Sequence, residues 1–556
     1  MTGVDPVTLE VVRNATAATA EEMNAALVRT GYSPNIKERR DCSTAVFDAD
    51  GEMINQAETM PVHLGAMPFS VAAATDAFPA DTLVPGDAIL LNDPFRGGAH
   101  LPDLTLVSPV FRDDSVVAFV ANRAHHADVG GANAGSVAAD TTEIYQEGLR
   151  IPPVKLYAGG DRNDDVFEVI LANTRTPDER RGDLRAQAAA NETGRARLQA
   201  LFDRHGDATT RAAFTELKDY AERRMREELA AFEDVLDDDG RGTTDLPVVA
   251  TVTIAEDAVT VDFTGTADQV PGPVNAVRAV TASATYFAVR AVTDPDIPPN
   301  HGCYRPITIE TPAGSLVDAD PPAAVVGGNL ETSQRVTDVV LGAFADAAPD
   351  RVPAAGQGTM NNLTVGGTDP RDGSPYAFYE TQAGGFGARP TADGMDAVHV
   401  HMSNTRNTPV EVLETAYPLR VERYALRPDS AGAGRYRGGL GLRRDIRVRD
   451  HDATVSLLAD RHRHAPYGLD GGAPGATGAA VHHQDGETTA VPAKTTLTLA
   501  PGDVLSVQTP GGGGYGDPAD RDPAAIAADL RAGVITRARV RSVYGRDPDA
   551  LPAPED

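Results

Sequence analysis

The sequence predicts an α+β protein of several subdomains: a helical hairpin, mixed and antiparallel sheets, and a β-rich C-terminal region. Three observations predict it. The chain has 556 residues, more than the roughly 250 to 300 at which a single core stops growing. Helical stretches and runs of branched residues segregate along the chain rather than alternate, which disfavours a doubly wound sheet. Between residues 418 and 515 short β-like runs alternate with glycine clusters, as in a small sandwich or barrel.

Each element has its own signal. Asp5-Pro6 supplies an N-cap and a proline at the first helical position for an amphipathic helix that runs to about Arg29 and stops before Gly31. Residues 42 to 60 read as a hairpin turning at Asp48-Ala-Asp-Gly51, and Ala88 to Asn92 as a buried strand. The loop Asp93-Pro-Phe-Arg-Gly-Gly98 follows that strand, and Leu104–Phe111 with Ser115–Asn122 form a second hairpin around Asp113-Asp114. Residues 183 to about 238 read as two long helices parted near His205-Gly206. The texture then turns β-like, Val248–Ile254 and Val259–Phe263, around a Glu256-Asp257 turn. Stretches 275–293 and 331–347 look helical, and two short helices close the chain, 522–530 and 536–544. The expected division is an α+β region over 1–240, a central α+β domain over 241–415, a β-rich domain over 416–516 and a helical tail over 517–556.

Fifty Lys and Arg against eighty Asp and Glu give a formal charge of −30, which repels nucleic acid and anionic membrane surfaces. Only four of the basic residues are Lys, at 37, 155, 218 and 494. Such an acidic, Lys-poor surface suits a high-salt interior, where screening relieves self-repulsion, so the protein's stability should rise with salt. No apolar run nears the ~20 residues that cross a bilayer. The first thirty residues carry Asp5, Glu10, Glu21 and Glu22 in place of a basic start and apolar stretch, so the cytoplasm is the expected location. Cys42 and Cys303 are too few for a disulfide framework or a four-cysteine zinc site.

Any metal must therefore be held by His and carboxylates, and one stretch gathers them. Gly97-Gly-Ala-His100-Leu-Pro-Asp103 precedes the second hairpin, and Asn122-Arg-Ala-His125-His126-Ala-Asp128 ends it. Pro102 prevents a continued helix, so a three-residue spacing can fold His100 and Asp103 around one ion. Antiparallel pairing then returns 123–126 beside 101–103. Neighbouring strand residues face opposite sides, so only one of His125 and His126 can join Asp103: a two-residue turn selects His126, a three-residue bulged turn His125. Two imidazoles and a carboxylate suit Mn, Fe or Zn.

Weaker signals lie elsewhere. His399-Val-His401 on a strand would put both rings on one face. The segments Thr359–Asn362 and Glu380–Arg389 carry amides and backbone donors that could hold a polar heterocycle, or be tight turns. Cys303 beside His301 reads as an inert buried thiol sooner than a nucleophile. The glycines 511–516 formally contain GxGxxG, but no helix follows, and GxxxxGK[ST] is absent, so this chain has no P-loop.

These stretches together resemble the hydantoinase B family. The matching runs include DPVTLEVVRNA, SPNIKERRDCSTAVFD, MPVHLGAMPFSV, ILLNDPFRGGAHLPD, ANRAHHADVGG, GGNLETSQR, GQGTMNNLT and PGGGGYGDP, spread from about residue 5 to 545. The resemblance implies the B subunit of an ATP-dependent cyclic amide hydrolase of the N-methylhydantoinase or 5-oxoprolinase type. It further implies a hydantoinase A-type partner that binds ATP and phosphorylates the substrate, and a hetero-oligomer. The resemblance to the acetone carboxylase branch, where a His-x-x-Asp pair and a following His hold a metal, implies His100, Asp103 and His125 as metal ligands and selects the bulged register; the lactam-hydrolysing members imply instead that the same Asp and His activate water without an assigned metal. Asp103, His125 and His126 become the catalytic candidates, with His126 a possible proton donor and Asp128 beside it. The alternatives are a subunit of an acetone- or acetophenone-type ketone carboxylase, and a non-catalytic scaffold holding a structural metal.

Overall fold

The computed structural model describes residues 4–57, 59–222, 230–255, 258–294 and 297–552. Helix α1 (Pro6–Thr30) is capped by Asp5, whose carboxylate accepts from the amides of Val7 and Thr8, as its sequence requires. The short helices α2 (Pro34–Lys37) and α3 (Pro61–Leu64) flank the first hairpin, and α4 (Met67–Ala77) follows. Next come α5 (Asp164–Ala172), α6 (Pro177–His205) and α7 (Asp207–Glu222), the last two parted at Gly206, whose φ is +77°. Helices α8 (Arg278–Val292) and α9 (Ser333–Ala343) pack together in the centre, with α10 (Val410–Ala416), α11 (Pro523–Arg531) and α12 (Arg537–Ser542) beyond.

Among the described residues the strands form four sheets. The first orders β2-β1-β5-β4-β3-β6-β7, from β1 (Cys42–Asp48), β2 (Met53–Gln56), β3 (Ala88–Leu91), β4 (Asp103–Arg112), β5 (Ser115–His125), β6 (Val154–Ala158) and β7 (Asp161–Arg162). Helices α1 and α6 cover one face, where Val120, Leu198 and Phe202 are buried together. The second sheet orders β11-β10-β9-β8, from β8 (Ala230–Asp238), β9 (Thr244–Ala255), β10 (Ala258–Asp262) and β11 (Ile307–Glu310). Residues 230–238 are thus a strand and not the end of the second long helix: pairing with β9 from Ala230↔Val252 to Asp238↔Thr244 satisfies their backbone, and α9 covers them. The expected turn at Glu256-Asp257 and the stretch 223–229 lie outside the described residues.

The C-terminal sandwich has two layers. One orders β13-β12-β16-β19, from β12 (Asn362–Thr368), β13 (Pro375–Glu380), β16 (Ala453–Leu458) and β19 (Lys494–Leu499). The other orders β14-β15-β20-β17-β18, from β14 (Leu419–Leu426), β15 (Leu442–Val448), β17 (Ala479–Gln484), β18 (Glu487–Val491) and β20 (Val504–Gln508). Leu363, Phe378, Ile446, Leu457 and Leu505 fill the space between them. Two of its strands come from upstream of residue 416, and one hydrophobic core runs from Ala45 through Val248 and Val340 to Leu458, across residues 240 and 415. The glycines at 511–514 are a close-packing device: a Cβ on Gly513 would lie 1.9 Å from the carbonyl oxygen of Tyr467, so only hydrogen fits.

Candidate functional site

The β4–β5 hairpin builds the site. Its turn holds two residues, Asp113 and Asp114, with Asp113 at φ +50°, and Arg112 pairs with Ser115. Two-residue closure alone would set Asp103 opposite Ala124. The register shifts between Val110 and Phe111, where Val110 pairs with Ala118 and Phe111 with Val116, leaving Val117 as a bulge. That one extra residue places Asp103 opposite His125. The bulge lies inside the strand, not in the turn, which is why turn length read from sequence leaves the parity open.

At the other end the chain folds tightly before β4. The Asn92 side chain donates to the carbonyls of Leu101 and Leu149 and accepts from the amide of Ile151, anchoring the loop 93–102. The Asp103 amide donates to the His100 carbonyl at 3.1 Å, which swings the His100 ring over the aspartate.

Three donor atoms meet there. His100 Nε2 and His125 Nδ1 each lie 3.0 Å from Asp103 Oδ1, and 3.3 Å from each other. All three residues are buried. Cis ligands of an octahedral ion at about 2.1 Å are separated by about 3.0 Å, so the triangle has the size of one face of a coordination shell. The second oxygen, Asp103 Oδ2, lies 3.3 Å from His63 Nε2 and 3.5 Å from Asn329 Nδ2, and His63 Nδ1 lies 3.1 Å from Ser43 Oγ.

The surroundings fix these groups. His100 Nδ1–H donates to the Val326 carbonyl at 3.2 Å, which leaves Nε2 to face the aspartate. Glu147 accepts from the amides of Val325 and Val326 and so holds that carbonyl; burial raises its pKa to about 7. Asn329 lies on a π-helical turn, Gly328–Thr332, pressed so close to the preceding chain that a Cβ on Gly328 would lie 1.9 Å from the Asn275 carbonyl oxygen. Arg123, two positions before His125 and on the same face of β5, donates to Thr105 Oγ1 and Ser70 Oγ, and burial lowers its pKa to about 10.

The electrostatics separate the two site histidines. Burial would raise the Asp103 pKa, but His100 and His63 outweigh it and hold the carboxylate well below its ordinary range. Burial would likewise lower that of His100, yet the charge and hydrogen bond of Asp103 overcome it and raise it. His125 is lowered, with burial the leading cause. Without metal, the proton belongs on His100, and His125 is neutral, donating Nδ1–H to Asp103.

The structure therefore brings His100, Asp103 and His125 together and sends His126 away. The His126 ring lies on the α6 side of the sheet, its Nε2 3.0 Å from Gln187 Oε1, and burial followed by the charge of Arg180 pushes its pKa down to about 4. Asp128 accepts from the amides of Gly130 and Gly135 and from Arg175, and so holds a loop. His399 and His401 are not on a strand: His401 has φ +49° and bonds Asp338, whereas His399 faces Thr405 and Ser403, so the pair shares no face. Cys303 is buried, its thiol donating to the Asn300 carbonyl. Sequence reasoning missed His63, Glu147 and Asn329. The runs MPVHLGAM and GGNLETSQR contained two of them, but separations of up to 226 residues from Asp103 hid their meeting.

A multi-sheet α+β chain that closes two imidazoles and a carboxylate into one buried cluster at the end of a bulged hairpin defines the class of protein. Residues 5–518 match the family Hydantoinase B/oxoprolinase, and the chain belongs to that family. It is 35% identical to the caprolactamase subunit beta of Pseudomonas jessenii over 98% of this chain and 96% of that one. The crystal structure of the ATP-dependent caprolactamase from that organism superposes with a TM-score of 0.92 at 33% identity, covering 99% of this chain and 98% of that one. The 5-oxoprolinase 1 of Arabidopsis thaliana is 37% identical over 92% of this chain, which spans only 42% of that protein. A nucleotide-free acetone carboxylase structure shares the fold, with a TM-score of 0.88 at 19% identity over 97% of this chain and 79% of that one. No helix among the described residues is long and apolar enough to cross a membrane.

Proposed function

We propose that this chain is the B-type subunit of an ATP-dependent cyclic amide hydrolase, opening a ring that a hydantoinase A-type partner has activated by phosphorylation. The observation that carries the reading is the buried triangle of His100 Nε2, Asp103 Oδ1 and His125 Nδ1, with edges of 3.0 to 3.3 Å. A relative matched along nearly its whole length is itself a subunit of a caprolactamase, and the absence of a P-loop here leaves ATP to a partner in a hetero-oligomer. A cyclic amide is resonance-stabilised and its nitrogen leaves poorly, so prior O-phosphorylation to an imidate lowers the barrier that this chain must overcome.

His100, Asp103 and His125 would hold a divalent ion, Mn, Zn or Fe, which when bound polarises the electrophile and acidifies water. Asp103 keeps Oδ2 outside the triangle, where it can take the proton of attacking water while His63 and Asn329 hold its orientation. His126 turns to Gln187, away from the triangle, so His63, 3.3 Å from Asp103 Oδ2, replaces it here as the candidate proton donor to the leaving nitrogen.

Co-expression with the A-type partner, a screen of cyclic amides for ATP-dependent ring opening, and metal analysis of the complex test the reading. His100→Ala and Asp103→Ala should abolish ring opening while ATP binding by the partner survives. Full turnover by both variants refutes the assignment. Bicarbonate-dependent carboxylation of a ketone would place the chain with the carboxylases instead.

A further inference from the structure

We infer that Tyr379, contributed by the C-terminal sandwich, is a positioning residue for His125 and thereby for the metal site; this rests on the metal reading above. Ligating histidines ordinarily owe their ring orientation to a hydrogen bond from the second ring nitrogen to a carboxylate or carbonyl. His125 lacks that bond: its Nε2 is buried without a partner. Its ring instead stacks on Tyr379, centroids 4.7 Å apart and planes 20° from parallel.

The stack is fixed from three sides. Arg39 lies over the Tyr379 ring at 4.7 Å, a cation–π contact in a dry setting. Its Nη1 donates to the Tyr379 carbonyl at 2.9 Å and to Asn35 Oδ1 at 2.6 Å, and Asn35 Nδ2 donates to the His125 carbonyl at 2.6 Å, closing a ring of contacts back to the ligand. The Tyr379 hydroxyl donates to Asn362 Oδ1 at 3.0 Å, and Asn362 Nδ2 donates to Glu331 Oε1 at 2.8 Å. Residues from α2 and the segment just after it, from β12 and from β13 thus converge on the one imidazole that β5 carries. Stacking fixes the plane of the ring and leaves the Nε2 edge unclaimed, which a hydrogen-bonded histidine could not offer.

The test is metal affinity of the purified full-length chain, measured by chelator competition with Mn(II) and Zn(II). Tyr379→Met keeps bulk but removes the flat face; binding should weaken by about 10- to 100-fold, the usual effect of losing outer support. Tyr379→Phe keeps the face and should bind within about threefold of wild type, rescuing the loss. Phe378→Met, next along the strand but facing the sandwich core, serves as the control for general destabilisation and should also bind within about threefold. Equal affinity of Tyr379→Met and wild type overturns the inference, as does equal weakening by Phe378→Met. Should Tyr379→Met not fold, Arg39→Gln reads the same coupling, with unchanged affinity the overturning result. A wild-type chain that binds neither metal refutes the metal reading itself, a distinct outcome.

Discussion

Asp103→Asn keeps the shape of the site and removes its only negative donor. Three imidazole nitrogens lie 3.0, 3.0 and 3.3 Å from this fully buried carboxylate, and His100 carries the proton that pairs with it. A charge-assisted bond of this kind contributes about 1.5–3 kcal/mol, and His100 can escape an unpaired charge by losing its proton, so the variant should fold with a loss inside that range. Turnover should suffer far more. If Asp103 both holds the ion and accepts a proton, ring opening falls at least about 10³-fold, or about 4 kcal/mol of barrier. The pH dependence has a definite sign. The depressed Asp103 pKa gives stability that is present above its ordinary 3.8 and is lost only as pH falls through the lower folded value. The raised His100 pKa gives stability present below 6.5 and lost as pH rises through the higher folded value. Denaturant unfolding of metal-free protein at about pH 6 and about pH 9 should therefore show a decline in wild type that Asp103→Asn lacks. Because His100 must surrender its proton to become a ligand, metal uptake should release protons and tighten as pH rises. Stoichiometric metal in Asp103→Asn together with turnover within about threefold of wild type would refute the reasoning.

Other perturbations probe the frame around the site. His126→Gln should retain metal stoichiometry and ring opening within about threefold, because the ring faces Gln187; a loss beyond about tenfold would return His126 to the chemistry. Deleting Val117 removes the bulged residue but leaves Val110 opposite Ala118 and Asp103 opposite His125, so metal binding should survive wherever circular dichroism shows the fold retained; its loss in a folded variant would sink the register argument. Arg444→Met leaves Glu380 charged and fully buried beside β15, and urea unfolding should record a loss of about 3–5 kcal/mol, most of it restored by adding Glu380→Leu; a loss under about 1 kcal/mol would contradict the pairing.

Local signals were legible. Asp5-Pro6, the Asp113-Asp114 turn and Gly206 each dictate backbone through a cap, a tight reversal or a positive φ, and each formed where its residues required. The strand at 230–238 was not legible, since its acidic, alanine-rich segment has no period-two pattern, and only pairing with β9 makes it extended. His399 and His401 misled for the complementary reason: their spacing implies a shared face only on a strand, and the chain there turns instead.

By itself the sequence determined that His100, Asp103 and one of His125 and His126 come together, because they flank a single hairpin whose closure is a short-range event. The tertiary structure decided which histidine joins Asp103, through a single bulged residue, since parity along a strand is invisible to composition. It also decided what surrounds the cluster. His63, Val326, Asn329 and Tyr379 arrive from a short helix, a loop, a π-turn and a distant sandwich, and only burial against a common core brings such remote groups within hydrogen-bonding or stacking reach.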